Sequence, residues 1–418
     1  MLKDRHVTHS LTKRRKAMGN IPDQTVICKC LNLIQLSDDE FPIFNYRRKF
    51  TLVRAVKLLI DAQLNKRTDL EDICNALRAN EQLQQAINLK SISASQVVRT
   101  LRALPLPVLQ QLWIQLTQRL QQLCPKQGIP GIGKLSIVDS TVLTLPDVAG
   151  KWAYCSKHNN GVKIHTKLAV CASDTVYPEN IVCSTRGVAD SEVALDLVID
   201  KDAIHVLDRG YITYGHYKQW LDHNLRFVAR IKKSNKTAII CKHEIDETTP
   251  VVRDADVIVS YKDEEGHVIE AQLRLVEYTD EKNRQYRVLT NVWDKSAAQI
   301  CEIYRRRWMI ELFFKWMKQH MSVVHLYSFH PEAVWNQIFL AFIAYGLVML
   351  VRKEADTTQT LWSFLKLLRV YMNKTWEQFL MALHRKPTKH SKGRRKKRKG
   401  GRPRKHPTQY KTVKVVIK

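Results

Sequence analysis

Along the first 128 residues, apolar positions return every three or four residues. The run Phe50–Leu64 (FTLVRAVKLLIDAQL) is the clearest case, and its spacing predicts an amphipathic helix. A second helix is expected after Thr68-Asp69-Leu70-Glu71, with Thr68 or Asp69 as its cap. A shorter helix is expected within Ser91–Arg102, where serines precede Gln-Val-Val-Arg. Pro105, Pro107, Pro125 and Pro130 mark the exit from this helical region.

The period changes after Gly133. Leu135–Asp139 is a short β-rich run, Val162–Cys171 alternates as a half-buried strand does, and Val176–Cys183 makes a third strand. Helix over Asp190–Ile199, strand over Ala203–Asp208, helix over Ile212–Asn224 and strand over Arg226–Ile231 follow. Three strands followed by alternating helix and strand predict an α/β layer with a mixed sheet. Val251–Val259, Val268–Glu277 and Gln285–Asn291 interrupt that alternation and read as an antiparallel β insertion. Ser296 then caps one long helix from Ala297 to about Met321, with more helix to about Leu383. The 14 apolar residues Ile338–Val351 fall short of the about 20 that span a membrane, so a buried core helix is expected. The segments are therefore a helical unit (1–128), a first α/β part (129–231), a β-rich insertion (232–295), C-terminal helices (296–383) and a tail (384–418).

Charge adds a partner. Lys and Arg number 68 against 40 Asp and Glu, a formal net charge of +28. Such an excess implies a polyanion, most often nucleic acid, with a membrane surface as the competing partner. The tail carries 16 Lys or Arg and no acid, and is expected to be disordered without a partner. Its Gly400-Gly401-Arg402-Pro403-Arg404-Lys405 is similar to the Gly-Arg-Pro core of an AT-hook, which lies in a narrow minor groove. A generic polycation that binds any phosphate backbone is the favoured reading of Arg402 and Arg404. Lys13-Arg14-Arg15-Lys16 reads as a backbone-binding arm. Arg99 and Arg102 make Ser91–Arg102 either a helix-turn-helix reading helix or a plain surface helix. Residues 1–20 have no apolar segment of a secretory signal, and the nine scattered cysteines read as reduced thiols in a cytosol. Cys28-x-Cys30, Cys155-x2-His158 and Cys241-x-His243 lack a second pair at zinc-finger spacing. His165 is expected to be packed or to face DNA.

Candidate chemistry sits at three places. Asp139 and Asp208 each end an apolar strand, where they either face a cleft and bind a hard cation or simply begin a turn. On a helical wheel at roughly 100° per residue, Tyr304, Arg307, Glu311 and Lys318 fall at about 0°, 300°, 340° and 320°, one face about 60° wide. Glu311 can complete a metal site there while Tyr304, Arg307 and Lys318 grip a phosphate; intrahelical ion pairs are the alternative. Trp308 reads as core. Three acids with two divalent ions are a device for in-line phosphodiester displacement by water or a DNA 3′-hydroxyl.

Asp139 in Val-Asp-Ser-Thr, Asp208 in Asp-Arg-Gly-Tyr, and Tyr304-x2-Arg307-x3-Glu311-x6-Lys318 resemble the DDE transposases of bacterial insertion sequences, the group with the Y-R-E-K signature. The resemblance covers about residues 130–325. It implies an RNase H-like core, a mixed sheet flanked by helices, broken by a mostly β insertion for which the 103 residues from Asp208 to Glu311 leave room. It implies an all-α N-terminal DNA-binding region that takes the terminal inverted repeats. It implies that Asp139, Asp208 and Glu311 bind two Mg²⁺ ions, with Mn²⁺ able to substitute, and that Tyr304, Arg307 and Lys318 hold phosphates near the transposon end. Cut-and-paste transposition on double-stranded DNA would follow, by a homodimer in a synaptic complex at the nucleoid and with no membrane partner. A metal-dependent nuclease without strand transfer and a non-catalytic, transposase-derived DNA-binding protein remain the alternatives. In some relatives a Trp stacks a flipped base; Trp293 has no matching spacing and takes no such role here.

Overall fold

The computed structural model describes residues 24–40, 49–122, 128–172, 175–262 and 265–385. The arm at Lys13–Lys16 and the tail arginines Arg402 and Arg404 lie outside them.

The described residues between 26 and 121 form six α-helices: α1 (Val26–Leu31), α2 (Leu52–Leu64), α3 (Leu70–Ala79), α4 (Glu81–Ile87), α5 (Ala94–Ala103) and α6 (Leu106–Gln121). Side chains that compete with the backbone for hydrogen bonds set their starts. Thr51 caps α2, Asp69 (not Thr68) accepts the Asp72 amide at 2.8 Å to start α3, and Ser93 caps α5. Asn88, left-handed at φ 56°, closes α4 and turns the chain toward α5.

The sheet has nine strands: β1 (Lys134–Thr144), β2 (Gly161–Val170), β3 (Val176–Thr185), β4 (Ala203–Leu207), β5 (Arg226–Arg230), β6 (Ala238–Lys242), β7 (Val251–Lys262), β8 (Val268–Thr279) and β9 (Gln285–Thr290). Their order is β3-β2-β1-β4-β5-β9-β8-β7-β6. β1, β4 and β5 are mutually parallel, and all other neighbours are antiparallel. The first five strands, in order 3-2-1-4-5 with helices on both faces, fit the expected RNase H-like core. The insertion is antiparallel as expected, but it continues the same sheet because β9 pairs with β5. Its strand β6 is absent from the sequence reading, being five residues long and exposed on both faces.

Helices α7 (Asp190–Leu197) and α8 (Tyr214–Asp222) cover one face of the sheet. The other face meets α9 (Ala297–Arg305), α10 (Trp308–His320) and α11 (Pro331–Glu354), followed by α12 (Leu361–Val370) and α13 (Trp376–Leu383). The single helix expected from Ala297 is thus two. At Arg306–Arg307 the amides turn to acceptors three residues back: Arg307 N to Tyr304 O (3.0 Å) and Met309 N to Arg306 O (2.9 Å).

α11 is long and apolar enough to cross a membrane, but 89% of its most apolar window is buried inside the fold. Helices α2, α5 and α6 pack around it, so one apolar cluster runs from Val26 to Leu383. Gly346 makes the closest approach possible: a Cβ there would sit 2.4 Å from Leu116 Cδ2 on α6. Cys171 is disulfide-bonded, and the other seven described cysteines are free. This corrects the reading of all nine as reduced thiols; pairing follows three-dimensional proximity, which scattered spacing does not reveal.

Candidate active site

Register brings the two aspartates together. β1 and β4 run parallel, and their last pair is Val138 with Leu207. Asp139 and Asp208 are the next residues. Asp208 is the first residue past β4, whereas Asp139 is not the strand end expected from the sequence: β1 continues to Thr144 against β2, and Asp139 lies mid-strand where its pairing with β4 stops. Val138 and Leu207 both point into the cluster under α7 and α8. Alternation therefore turns Asp139 to the opposite face, where α9 and α10 lie.

Three of the four helix residues reach these segments directly, and Glu311 joins them through Arg307. Tyr304 donates its hydroxyl to Asp208 Oδ1 at 3.2 Å. Arg307 forks between two acids, Nη1 to Asp139 Oδ2 at 2.8 Å and Nη2 to Glu311 Oε1 at 2.5 Å. Lys318 Nζ donates to the Val142 carbonyl of β1 at 3.0 Å. Tyr304 from α9, Arg307 from the break between the helices and Lys318 from α10 thus converge on the segments carrying the aspartates, and Arg307 ties Glu311 to them. The tightened turn at Arg306–Arg307 lets Arg307 meet Asp139 while Tyr304 meets Asp208.

The site is enclosed but not sealed. Side-chain exposure is 16% for Arg307, 20% for Asp139 and 36% for Glu311. Burial pushes the Asp139 carboxyl up to about 6, against the Ser140 amide at 2.8 Å and the Arg307 charge, with Asp208 and Glu311 adding to the rise. Burial raises the Tyr304 phenol and the neighbouring Asp208 adds to it, so this tyrosine is a neutral donor. Burial lowers the Lys318 ammonium.

Behind the strands, on the opposite face, lies a polar network that sequence reading did not find. His165 on β2 is fully buried, with Nδ1 3.1 Å from Tyr211 Oη and Nε2 2.9 Å from Ser184 Oγ. Burial drives its imidazole down to about 4, which leaves it neutral. Asp190 Oδ1 accepts from Ser140 Oγ (3.1 Å) and Lys163 Nζ (3.2 Å). Ser140 follows Asp139 and Tyr211 lies three residues after Asp208, so the network clamps both segments from behind. A Cβ on Gly210 would lie 3.2 Å from Asp190 Oδ2, so a larger residue there would press on this network. The one sequence signal was the apolar setting of a histidine on β2.

The other candidates lie elsewhere. Arg99 and Arg102 are exposed on α5; Arg99 Nε donates to Ser95 O of its own helix, and Arg102 bonds to Ser328 Oγ ahead of α11. Neither approaches the carboxylates. Trp308 is not core: 57% of it is exposed, because the break before α10 re-aims the first turn. It lines a cavity of about 510 Å³ with Tyr278, Tyr286, Tyr304, Arg305 and Arg307. Tyr278 and Tyr286 stack there at 5.0 Å.

Three carboxylates are hard oxygen donors of the kind a divalent cation prefers. They fit by chemistry. In this arrangement, however, the cation that Asp139 and Glu311 face is the Arg307 guanidinium. Among the described residues no three acids, histidines or cysteines cluster closely enough to hold an ion unaided.

The sequence profile of the family described as "Transposase DDE domain" matches residues 131–347, the stretch that contains all of these carboxylates. Three relatives are named as transposases. The chain is 27% identical over 238 residues to transposase y4zB of Sinorhizobium fredii, covering 56% of this chain and 65% of that protein. It is 28% identical over 240 residues to a transposase for insertion sequence element IS5377 of Geobacillus stearothermophilus, covering 56% and 61%. It is 28% identical over 168 residues to one for element IS4SA of Synechocystis, covering 38% and 44%. The chain thus spans less than two thirds of the length of each curated relative it matches. With more than half of its residues inside the family profile and Asp139, Asp208 and Glu311 within it, the chain belongs to the family of transposases that carry the DDE domain.

Proposed function

We propose that this chain is the transposase of an insertion sequence that cuts the ends of its element and joins the 3′-hydroxyls to target DNA. The observation that carries the reading is the convergence of Tyr304, Arg307 and Lys318, with Glu311 bound to Arg307, on the segments that carry Asp139 and Asp208. A surface helix with ion pairs only inside itself has no reason to send three polar side chains to two neighbouring segments.

Asp139, Asp208 and Glu311 are the proposed ligands of divalent metal, Mg²⁺ or Mn²⁺ in its place. Two such ions supply activation of the attacking oxygen and stabilisation of the leaving one. Arg307 has the planar fork that fits a carboxylate pair and a phosphate equally, so an incoming DNA backbone competes with Asp139 and Glu311 for it. Lys318 offers a point charge beside the same strand, and Tyr304 keeps its proton to hold Asp208. The network through His165, Tyr211 and Asp190 holds the two aspartates at fixed spacing.

The helical unit 1–128 takes the terminal inverted repeats, with α5 and its exposed Arg99 and Arg102 as the reading helix after the turn at Asn88. The tail 384–418, with Arg402 and Arg404, adds sequence-independent phosphate contacts. Two ends must be cut and joined together, so the working form is a homodimer in a synaptic complex.

The test is Mg²⁺-dependent cleavage of DNA carrying the gene's own flanking ends, by the natural chain and by Glu311→Gln. Cleavage lost with end binding kept supports the reading, and equal cleavage by both refutes it. Joined products in a strand-transfer assay separate a transposase from a nuclease that only cuts. Tight end binding without cleavage by either protein marks a non-catalytic binder.

A further inference from the structure

Parallel register places a further cation beside the two aspartates. β4 pairs with β5 as far as Leu207 and Ala229, so Asp208 and Arg230 are the next neighbours. Phe227 and Ala229 of β5 point into the cluster under α7 and α8, and Val228 points the other way. Arg230 therefore faces α9 and α10, as Asp139 does. Across β1, β4 and β5 the order on this face is Asp139, Asp208, Arg230. Lys318 meets β1 beyond Asp139, at Val142, and Arg230 closes the row on the β5 side.

Arg230 is half-buried and has no acid to balance it. The arginines around it do: Arg274 is held by Asp254, Arg287 by Glu277, and Arg307 by Asp139 and Glu311. Among the described residues the Arg230 side chain makes no ion pair and no hydrogen bond. Its guanidinium lies over the ring of Tyr286, 4.7 Å from the centroid, and that ring is 6.0 Å from the ring of Tyr304. Stacking uses the flat face of a guanidinium and leaves the N–H donors at its edge free. A cation taken part-way out of water, held flat and left without an anion is arranged for an anion that arrives from outside. The fork of donors fits two oxygens of one phosphate.

We propose that Arg230 binds a backbone phosphate of the DNA strand that is cut, on the Asp208 side of the cut. The proposal rests on the reading of these carboxylates as a DNA-cutting site. The cut strand then crosses the sheet from Lys318, past Asp139 and Asp208, to Arg230. Such a contact fixes the register of the strand over the carboxylates and carries no base sequence. Tyr286 acts through Arg230, as a positioning residue that keeps the guanidinium flat.

The test is binding of the full chain, in EDTA, to DNA that carries the gene's own flanking ends. Arg230→Gln is expected to weaken binding about tenfold and to flatten the slope of log K against log salt by about 0.9, one phosphate contact. Arg230→Lys keeps the charge and should restore most of that slope. Neutral methylphosphonates, placed at the terminal phosphates one at a time, should then locate the contact. At one position the substitution weakens binding by the natural chain and costs Arg230→Gln nothing further. A natural slope for Arg230→Gln overturns the proposal. So does a loss that Arg230→Lys shares and that adds equally to every methylphosphonate, since it marks a damaged fold. Cleavage by the natural chain in Mg²⁺, with no phosphate coupled to Arg230, refutes the role of Arg230 and spares the cutting site. A coupled phosphate without any cleavage refutes the cutting site and upholds the phosphate contact. A natural chain that binds no ends overturns both.

Discussion

Replacing Arg307 with alanine removes the guanidinium that Asp139 and Glu311 share. What is left is two carboxylates with Asp208 beside them and no positive charge between. Deleting one partner of a fully buried ion pair costs about 3–5 kcal/mol. An exposed pair contributes less than about 1 kcal/mol. Exposures of 16%, 20% and 36% place this trio between those limits, with Glu311 the most solvent-screened. The expected loss is about 1–3 kcal/mol for the metal-free protein, a drop of a few degrees in Tm. A divalent cation can replace the missing charge, so Mg²⁺ should raise the Tm of Arg307→Ala more than that of the natural chain. Arg307→Lys, which keeps the charge and loses the fork, should fall between. Thermal melts in EDTA and in Mg²⁺ measure both quantities. If Arg307→Ala melts with the natural chain in EDTA and gains no more from Mg²⁺, Arg307 does not balance these carboxylates.

Asp61 on α2 is 2% exposed, accepts from Asn65 Nδ2 at 2.7 Å, and is pushed by burial from 3.8 up to about 6. Because the folded value is raised, its contribution to stability is full below pH 3.8 and is lost as pH climbs through about 6; Asp61→Asn should match the natural chain near pH 4 and exceed it by about 2–3 kcal/mol at pH 7.5. Denaturant melts at the two pH values check this, and parallel losses in both proteins would sink it. Deleting residues 384–418 removes 16 cations. It should weaken DNA binding and flatten the dependence of log K on log salt by about 0.9 per lost phosphate contact; an unchanged slope in a salt titration rules the tail out as a binder.

The strands of the α/β layer and the spacing of the four helix residues were legible because each is a local pattern. Asp208 could be read as a strand end, whereas Asp139 lies inside β1, which runs on to Thr144; the parallel register that sets the two side by side follows from nothing within either segment. The break at Arg306–Arg307 was hidden because good helix formers surround it; contacts with two strands impose it. Trp308 was misjudged for the same reason, since a wheel drawn for one helix cannot show a change of axis. His165, Tyr211, Asp190 and Lys163 come from four separate elements, and no spacing unites them. Strand β6 escaped because alternation appears only where one face is buried, and neither of its faces is.

Chain order gives the parallel pairing of β1 with β4 a further consequence during synthesis. Asp208 emerges 103 residues before Glu311. At roughly 5–20 residues per second, the ribosome takes about 5–20 s to cover that distance. Through that interval the nascent chain holds Asp139 and Asp208 without Glu311, Arg307 or Lys318. The proposed metal site is therefore incomplete until α10 has been made.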